Sequence, residues 1–189
     1  YSSESMFILN GRVEQTNFLG RGQKLGVTIE SSRYSENYRF SFTEPYLYDS
    51  EWSGGVDVSL SKLEQTDVLI QKNQGFGLSI GHPLAPYLNG FIQYGYVDTN
   101  VELLPNGDPA LFPSSGNGAT SSSTISLRYD KRNDRWSPTK GIYAETSFQY
   151  AGLGGNKKYV KSVGIFRFYQ KLFWEFVLRN NFNIGVINP

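Results

Sequence analysis

A strict alternation of apolar and polar residues recurs along the chain and limits the folds open to it more than any other feature. Near the C-terminus, five of the six even positions in 174–184 are apolar, against one of the five odd positions between them. Successive side chains of a β-strand point to opposite faces, so this pattern predicts a strand with one apolar face. Six further segments alternate in the same way: residues 24–30, 38–43, 56–61, 75–81, 124–130 and 142–150. With less regular stretches near 6–15, 90–103 and 159–171, we expect about ten strands and no competing helix.

The composition agrees with strands and excludes several classes of site. The 189 residues include 13 Tyr, 13 Phe and only five Ala, a balance that favours strands over helices. The absence of Cys removes disulfides, thiolate nucleophiles and Cys-based zinc sites. A formal net charge of +1 gives no field that favours nucleic acid as a partner. The single histidine, His82, lies among prolines and is predicted to be an interfacial turn residue, so the sequence suggests no enzyme.

Two architectures fit an all-β chain with one apolar face on each strand. A soluble β-sandwich packs two apolar faces together, whereas an antiparallel transmembrane β-barrel turns its apolar face to lipid. The predicted strands are about 9–12 residues long, which suits a bilayer better than a globular domain. Aromatic residues crowd the predicted strand ends, as in the interfacial girdles of membrane barrels. We therefore favour the barrel, and its mean hydropathy of −0.40 is no obstacle because only alternate residues face lipid.

The barrel interpretation assigns a side to each alternating residue. The residues predicted to face lipid are Ile125, Leu127, Tyr129, Phe166, Phe168, Trp174, Phe176 and Leu178. The residues predicted to face the lumen are Arg128, Asp130, Glu145, Arg167 and Arg179. The run 130–135 mixes Asp and Arg, and a metal site needs ligands without a dominant positive charge among them. We predict a salt-bridge network at the lumen rim there, and no metal or cofactor.

The connections between the predicted strands alternate in character. Those after odd-numbered strands fall near 16–23, 44–53, 82–88, 131–141 and 171–173, and those after even-numbered strands near 31–37, 62–74, 102–122 and 152–158. The two longest, Lys62–Gln74 and Glu102–Ser122, both follow even-numbered strands. Outer-membrane barrels place long loops outside the cell and short turns in the periplasm. The even-numbered connections are therefore predicted to be extracellular.

Three odd-numbered connections resemble the turns of a known family. Residues 17–22, Asn-Phe-Leu-Gly-Arg-Gly, resemble the N-[FW]-L-G-x-G turn of BamA-type outer-membrane assembly barrels, in the bacterial surface antigen superfamily. Residues 42–49 resemble that family's next periplasmic turn, and residues 130–141 resemble its D-x-R-(D/N)…P…G turn. The residues that carry the match are Asn17, Phe18, Leu19, Gly20, Gly22, Glu44, Pro45, Tyr46, Asp130, Arg132, Pro138 and Gly141. The glycines permit positive φ. The prolines end the β-ladders at positions where no backbone N–H donor is needed.

The resemblance implies a function that could not be inferred from composition and residue spacing. It implies a cofactor-free assembly and insertion factor in the outer membrane of a Gram-negative bacterium, with unfolded outer-membrane proteins as clients at a barrel seam. Outer-membrane lipids, periplasmic domains of the same chain and accessory lipoproteins would be its partners. Two alternatives stay open: a polypeptide-secretion pore of the same superfamily, or a passive diffusion channel. In the channel, the lumen charges Arg128, Glu145, Lys161 and Arg179 would set selectivity.

The extent of the resemblance predicts that residues 1–189 form a partial barrel domain. The family's inward-folded loop with a V-R-G-[FY] motif and its periplasmic domains have no counterpart in the sequence. The match corresponds to about the first two-thirds of a roughly sixteen-stranded barrel. An even strand count that starts with a descending strand would also leave Tyr1 and Pro189 on the extracellular side. We therefore expect one strand before this sequence, several after it, and the seam strands among them.

Overall fold

The computed structural model describes residues 8–65, 68–105 and 116–189 and places ten strands in one antiparallel sheet. The strands are β1 (Leu9–Phe18), β2 (Gln23–Ser31), β3 (Ser35–Glu44), β4 (Ser53–Gln65), β5 (Leu69–Ala85), β6 (Leu88–Leu103), β7 (Gly118–Asp130), β8 (Gly141–Gly155), β9 (Tyr159–Lys171) and β10 (Val177–Asn188). Each strand pairs with the next one along the chain, so the sheet is a meander. The prediction of an all-β fold with about ten strands is confirmed. Among the described residues, no helix is long and apolar enough to cross a membrane.

The strand register joins the alternating apolar residues into one continuous face, called here the apolar face. One cross-strand row of this face runs through Val27, Phe40, Val58 and Phe76. Most of the large side chains on the face are exposed, and the buried hydrophobic residues in the described part of the chain are Leu69, Ala151 and Tyr169. Within the described residues, the sheet is a single layer with no second sheet packed on its apolar face. The soluble sandwich, which requires two packed faces, is therefore excluded, and the open sheet has the architecture of part of a barrel.

The opposite face, called here the polar face, is concave. It lines two hollows of about 500 Å³ each, one centred on β5 to β7 and the other on β1 to β3. Glycine makes room inside them, because a Cβ at Gly77 would overlap the carboxylate of Asp57. Serine, threonine and charged side chains supply most of the remaining lining. The crowded polar interior predicted for the barrel is thus the concave side of the sheet.

The connections lie at two ends of the sheet, and their lengths differ from the prediction. One end, called the motif end, carries connections 19–22, 45–52, 86–87, 131–140 and 172–176. The other, called the hairpin end, carries connections 32–34, 66–68, 104–117 and 156–158. The predicted loop Lys62–Gln74 is wrong, because β4 and β5 continue as a hairpin with Gln65 opposite Leu69. β5 has 17 residues where about 9–11 span a bilayer, so the ladder continues into water, where no apolar face is needed.

Two predicted element boundaries at the motif end are also corrected. His82 lies inside β5 opposite Gly90, with its ring 4.4 Å from the ring of Trp52, and the connection shrinks to 86–87. The strand predicted over 174–184 begins only at Val177. Trp174 and Phe176 belong to the turn before it, because the N–H of Leu172 binds the carbonyl of Phe176 and closes the turn. The alternation of aromatic residues at 174–176 therefore does not reflect strand geometry.

The sheet is open in the described part of the chain. β1 begins and β10 ends at the hairpin end, as an even number of meander strands requires. Within residues 8–65, 68–105 and 116–189, no ladder joins β1 to β10. Each of these two strands therefore presents one edge of backbone donors and acceptors without a strand partner.

Candidate functional site at the motif end

The first motif turn, residues 19–22, is closed by the side chain of the preceding asparagine. Asn17 Oδ1 accepts the N–H of Gly22 at 2.7 Å, and the Asn17 carbonyl accepts the N–H of Gly20 at 3.2 Å. Gly20 and Gly22 adopt φ values of 74° and 71°, which glycine tolerates without strain. Leu19, directly before Gly20, also has positive φ and is exposed. The motif residues therefore encode a tight turn with a projecting leucine.

The second motif turn is tied to the first by a carboxylate. Glu44 accepts hydrogen bonds from Gln23 Nε2 at 2.5 Å and from the Tyr46 N–H at 3.0 Å. Pro45 lies 3.7 Å from the position of a Cβ on Gly22, so the two turns touch. The sequence reasoning missed Gln23, whose place beside Glu44 depends on the pairing of β2 with β3. Motif residues from two turns thus form one surface at the motif end.

The third motif connection, residues 131–140, is held by two side chains that accept backbone N–H groups. Asn133 Oδ1 accepts from Thr139 and Lys140 at 3.1 and 3.0 Å. Asp134 Oδ1 accepts from Ser137 and Trp136 at 2.6 and 2.7 Å, and these bonds lower the pKa of Asp134. The carboxylate therefore stays ionised at neutral pH, and its bonds are lost only as the pH falls through that lowered pKa. Asp134 closes the connection instead of joining the predicted salt-bridge network.

The other charges of the run 130–135 do come together. Arg132 Nε and Nη2 each donate to the Asp130 carboxylate at 2.8 Å, and Arg135 Nε lies 3.9 Å from it. The side chains of Asp130 and Arg132 are only 13% and 12% exposed, so little solvent screens the pair. The hydrogen bonds that Arg132 donates to Asp130 raise the pKa of Arg132. The result is a bidentate ion pair at the edge of the polar face.

Arginine and tyrosine side chains extend this ion pair across the polar face of β7 to β10. We call Arg128, Arg132, Arg167 and Arg179 the inner arginine cluster. Arg132 and Arg167 lie over the ring of Tyr143 at 4.8 and 5.3 Å, and Arg179 lies over Tyr169 at 5.5 Å. Such contacts stabilise a guanidinium where carboxylates are few. Sequence reasoning gave no role to either tyrosine, although both occupy polar-face positions of their strands.

Only two carboxylates pair with the inner arginine cluster in the described part of the chain. Arg128 donates to both oxygens of Glu145 at 3.2 and 3.3 Å, and Tyr143 donates its hydroxyl to the same carboxylate. Asp130 forms the ion pair with Arg132 described above. Arg167 buries its Nε without a hydrogen-bond partner among the described residues. Four guanidinium groups against two carboxylates leave this part of the polar face positively charged.

The strand register places the residues predicted to face the lumen on one side of the sheet and most of those predicted to face lipid on the other. The five with predicted lumen contact, Arg128, Asp130, Glu145, Arg167 and Arg179, all belong to the polar face. Those on the apolar face are Ile125, Leu127, Tyr129, Phe166, Phe168 and Leu178. Trp174 and Phe176 lie in a turn, as described above. Contact with lipid itself remains a prediction.

Removing Arg132 should reveal the strength of the buried ion pair. We expect Arg132→Met to lower the free energy of unfolding by about 3 kcal/mol, because Asp130 would keep a largely buried charge without its counter-ion. A double-mutant cycle with Asp130→Asn should give a coupling of about 1–3 kcal/mol in guanidinium titrations of the protein in vesicles. The exposed pair Arg12–Glu14, 2.9 Å apart, is the matched control and should couple by less than about 0.5 kcal/mol. Equal couplings would contradict a special role for the buried pair.

No group of three or more potential metal ligands occurs within the described ranges of the chain. The side chains of the motif end instead form ion pairs, turn closures and aromatic contacts. These interactions fix the shape of the surface and hold charges in place.

Comparison with known proteins places this geometry in context. The model of the Omp85 superfamily domain matches residues 17–189. An outer membrane protein assembly factor BamA from Nitratidesulfovibrio vulgaris Hildenborough is 26% identical over 99% of this chain and 24% of its own length. A SAM50-like protein, CG7639 of Drosophila melanogaster, is 27% identical over 90% of this chain and 41% of its own.

A solved structure shares the fold. The crystal structure of BamA from Haemophilus ducreyi lacking POTRA domains 1–3 superposes with a TM-score of 0.74 at 20% sequence identity. The match covers 97% of this chain and 40% of that one. The chain thus spans less than half the length of each of these proteins. Its ten-stranded sheet has the same fold as part of the Haemophilus ducreyi structure.

Proposed function

The chain belongs to the Omp85 superfamily, and on that premise we propose that it forms part of the barrel of an outer-membrane protein assembly and insertion factor. It is a bacterial outer-membrane protein with a β-barrel fold. The observation that carries the proposal is the alignment of 99% of the chain with a protein named as such a factor. The three motif turns, gathered at one end of the sheet, support it because they match that family's periplasmic turns.

We propose that the remaining parts of the assembly factor lie outside residues 1–189. The relatives are more than twice as long as the stretch they share with it. We propose that the additional length supplies the remaining strands, including the seam, and the periplasmic domains. Residues 1–189 are then a partial barrel domain, and the motif end is its periplasmic side.

The proposed mechanism needs no cofactor, because the driving force is strand pairing in lipid. Each unpaired backbone group costs several kcal/mol in the hydrocarbon layer, so a client strand that satisfies a weakly paired seam is strongly favoured. The clients are unfolded outer-membrane proteins, whose strands would use the seam as a template. The barrel segment described here provides the rigid sheet from which the seam strands continue.

The motif end is the proposed contact surface for periplasmic partners. Tyr48 is fully exposed and Tyr46 is largely so, and both project from the turn that Glu44 holds in place. Exposed aromatic side chains on a preorganised turn are typical of protein contact sites. We propose that periplasmic domains of the same protein and accessory lipoproteins bind there. Loss of binding in Tyr46→Ala and Tyr48→Ala proteins, with the barrel still folded, would support this assignment.

Depletion of the full-length protein tests the function. We expect a general loss of unrelated barrels from the outer membrane, measured by quantitative proteomics of isolated membranes, with their unfolded forms accumulating in the periplasm. Purified protein in liposomes should also accelerate the folding of a urea-denatured barrel client. A barrel of equal strand number from outside the superfamily is the control for the vesicle assay. Loss of one exported polypeptide would indicate a secretion pore, loss of one solute flux would indicate a channel, and either result would overturn the assembly role.

A further inference from the structure

Two neighbouring turns at the motif end present large aromatic side chains to solvent. The connections 131–140 and 172–176 are adjacent because β8, β9 and β10 pair in register at this end. We call the aromatic residues on them the aromatic ledge: Trp136, Phe173, Trp174 and Phe176. Trp136 is 97% exposed and Trp174 is 83% exposed. Four large aromatic side chains exposed on two adjacent turns indicate a binding surface.

Both turns hold the backbone beneath these side chains without burying the rings. Hydrogen bonds to Asp134 fix the backbone at Trp136, as described above. In the second turn, the ring of Phe173 packs against Trp174 and Phe176 with ring centres 6.0 and 5.4 Å apart. Trp174 adopts φ 53°, a conformation that is uncommon for a bulky residue. The aromatic ledge is therefore preorganised for a partner outside the sheet.

Basic residues surround the aromatic ledge. Lys131, Arg135, Lys140 and Lys171 are all exposed, and the Arg135 side chain is 83% exposed. The acids of the two turns, Asp134 and Glu175, offset these four basic residues only in part, because two carboxylates stand against four positive charges. The surface therefore combines an exposed positive field with aromatic rings.

The second motif turn provides an internal contrast. Tyr46 and Tyr48 are also exposed there, but their charged neighbours include Glu44, Asp49 and Glu51. That surface is aromatic without being basic. The two halves of the motif end therefore present different chemistry to their surroundings.

We propose that the aromatic ledge and its basic residues form an interfacial anchor that binds the head groups of anionic phospholipids in the leaflet at the motif end. Trp rings are favoured at the membrane interface, and Lys and Arg beside a membrane are attracted to anionic lipid. The ledge lies on the turns that directly follow β7 and β9, at one end of the sheet that bears the apolar face, so its position matches the head-group layer next to the hydrocarbon. The anchor follows from the fold alone and does not depend on the assembly role.

Quenching of tryptophan fluorescence by brominated lipids tests the anchor. The full-length protein would be reconstituted in vesicles containing either dibrominated phosphatidylglycerol or dibrominated phosphatidylcholine. The contribution of the ledge is the difference between the native protein and its Trp136→Phe and Trp174→Phe variants. We expect that contribution to show a ~3-fold preference for the anionic lipid at low salt, falling as salt screens the charges.

Charge variants identify the residues responsible. Replacing Lys131, Arg135, Lys140 and Lys171 together by Gln should abolish the preference while leaving the heat-modifiable mobility of the folded protein unchanged. Tyr48→Ala, which removes an exposed aromatic from the acidic half, should leave the preference unchanged. Equal quenching by both lipids in the native protein would overturn the proposal. So would ledge tryptophans that acrylamide reaches from water in vesicles but that become protected when a periplasmic partner protein is added.

Discussion

Replacing Leu127 with Arg should lower the free energy of unfolding in a lipid bilayer by about 2–4 kcal/mol. Leu127 lies on the apolar face between Gly90 of β6 and Thr146 of β8, with 40% of its surface exposed. A guanidinium at that position must lose water or draw the head groups toward it. Guanidinium titration of the protein in vesicles, followed by tryptophan fluorescence, measures the loss.

The matched control places the same charge on the other face of the same strand. Thr124 lines one of the hollows of the polar face, so Thr124→Arg adds a guanidinium to a wet, concave space. Its cost should stay within about 1 kcal/mol. Equal costs at Leu127 and Thr124, or a small cost at Leu127, would show that the apolar face does not meet lipid.

Replacing Gly141 with Ala should destabilise the protein by about 3 kcal/mol or more, because positive φ and a steric clash act together. Gly141 begins β8 with φ 115°, and an added Cβ would overlap the carbonyl oxygen of Lys131 and approach Arg132 Cα to 2.8 Å. Both obstacles are backbone atoms, which cannot rotate away. The same unfolding titration measures the effect, and the turn 131–140 should lose its order first.

Gly20 separates the two causes. It adopts φ 74°, but an added Cβ there would meet nothing within 4 Å. Gly20→Ala should therefore cost only about 1–2 kcal/mol, the price of the backbone conformation alone. If Gly141→Ala destabilised the protein no more than Gly20→Ala, the turn 131–140 would relax freely and the steric clash would not contribute to the loss of stability.

The sequence alone determines the local geometry of this protein. Period-two alternation specifies which side chains share a face, because the pleat of a strand allows no other arrangement. It therefore predicted the ten strands and the common face of residues such as Ile125 and Phe166. The motif turns were equally predictable from the sequence, because Asn17 closes its turn through a partner five residues away and the glycines adopt positive φ. These features depend on neighbours along the chain.

Tertiary structure decided what depends on register between strands. The hairpin of β4 and β5 continues through polar sequence because backbone pairing, once aligned, proceeds in water without an apolar face. The stacking of Arg132 and Arg167 on Tyr143 joins residues from three elements, and no local pattern specifies that meeting. The turn that holds Trp174 breaks an alternation that reads as strand, because its hydrogen bonds close within five residues. Local pattern fixes which way a side chain points, whereas only the paired sheet fixes which side chains it meets.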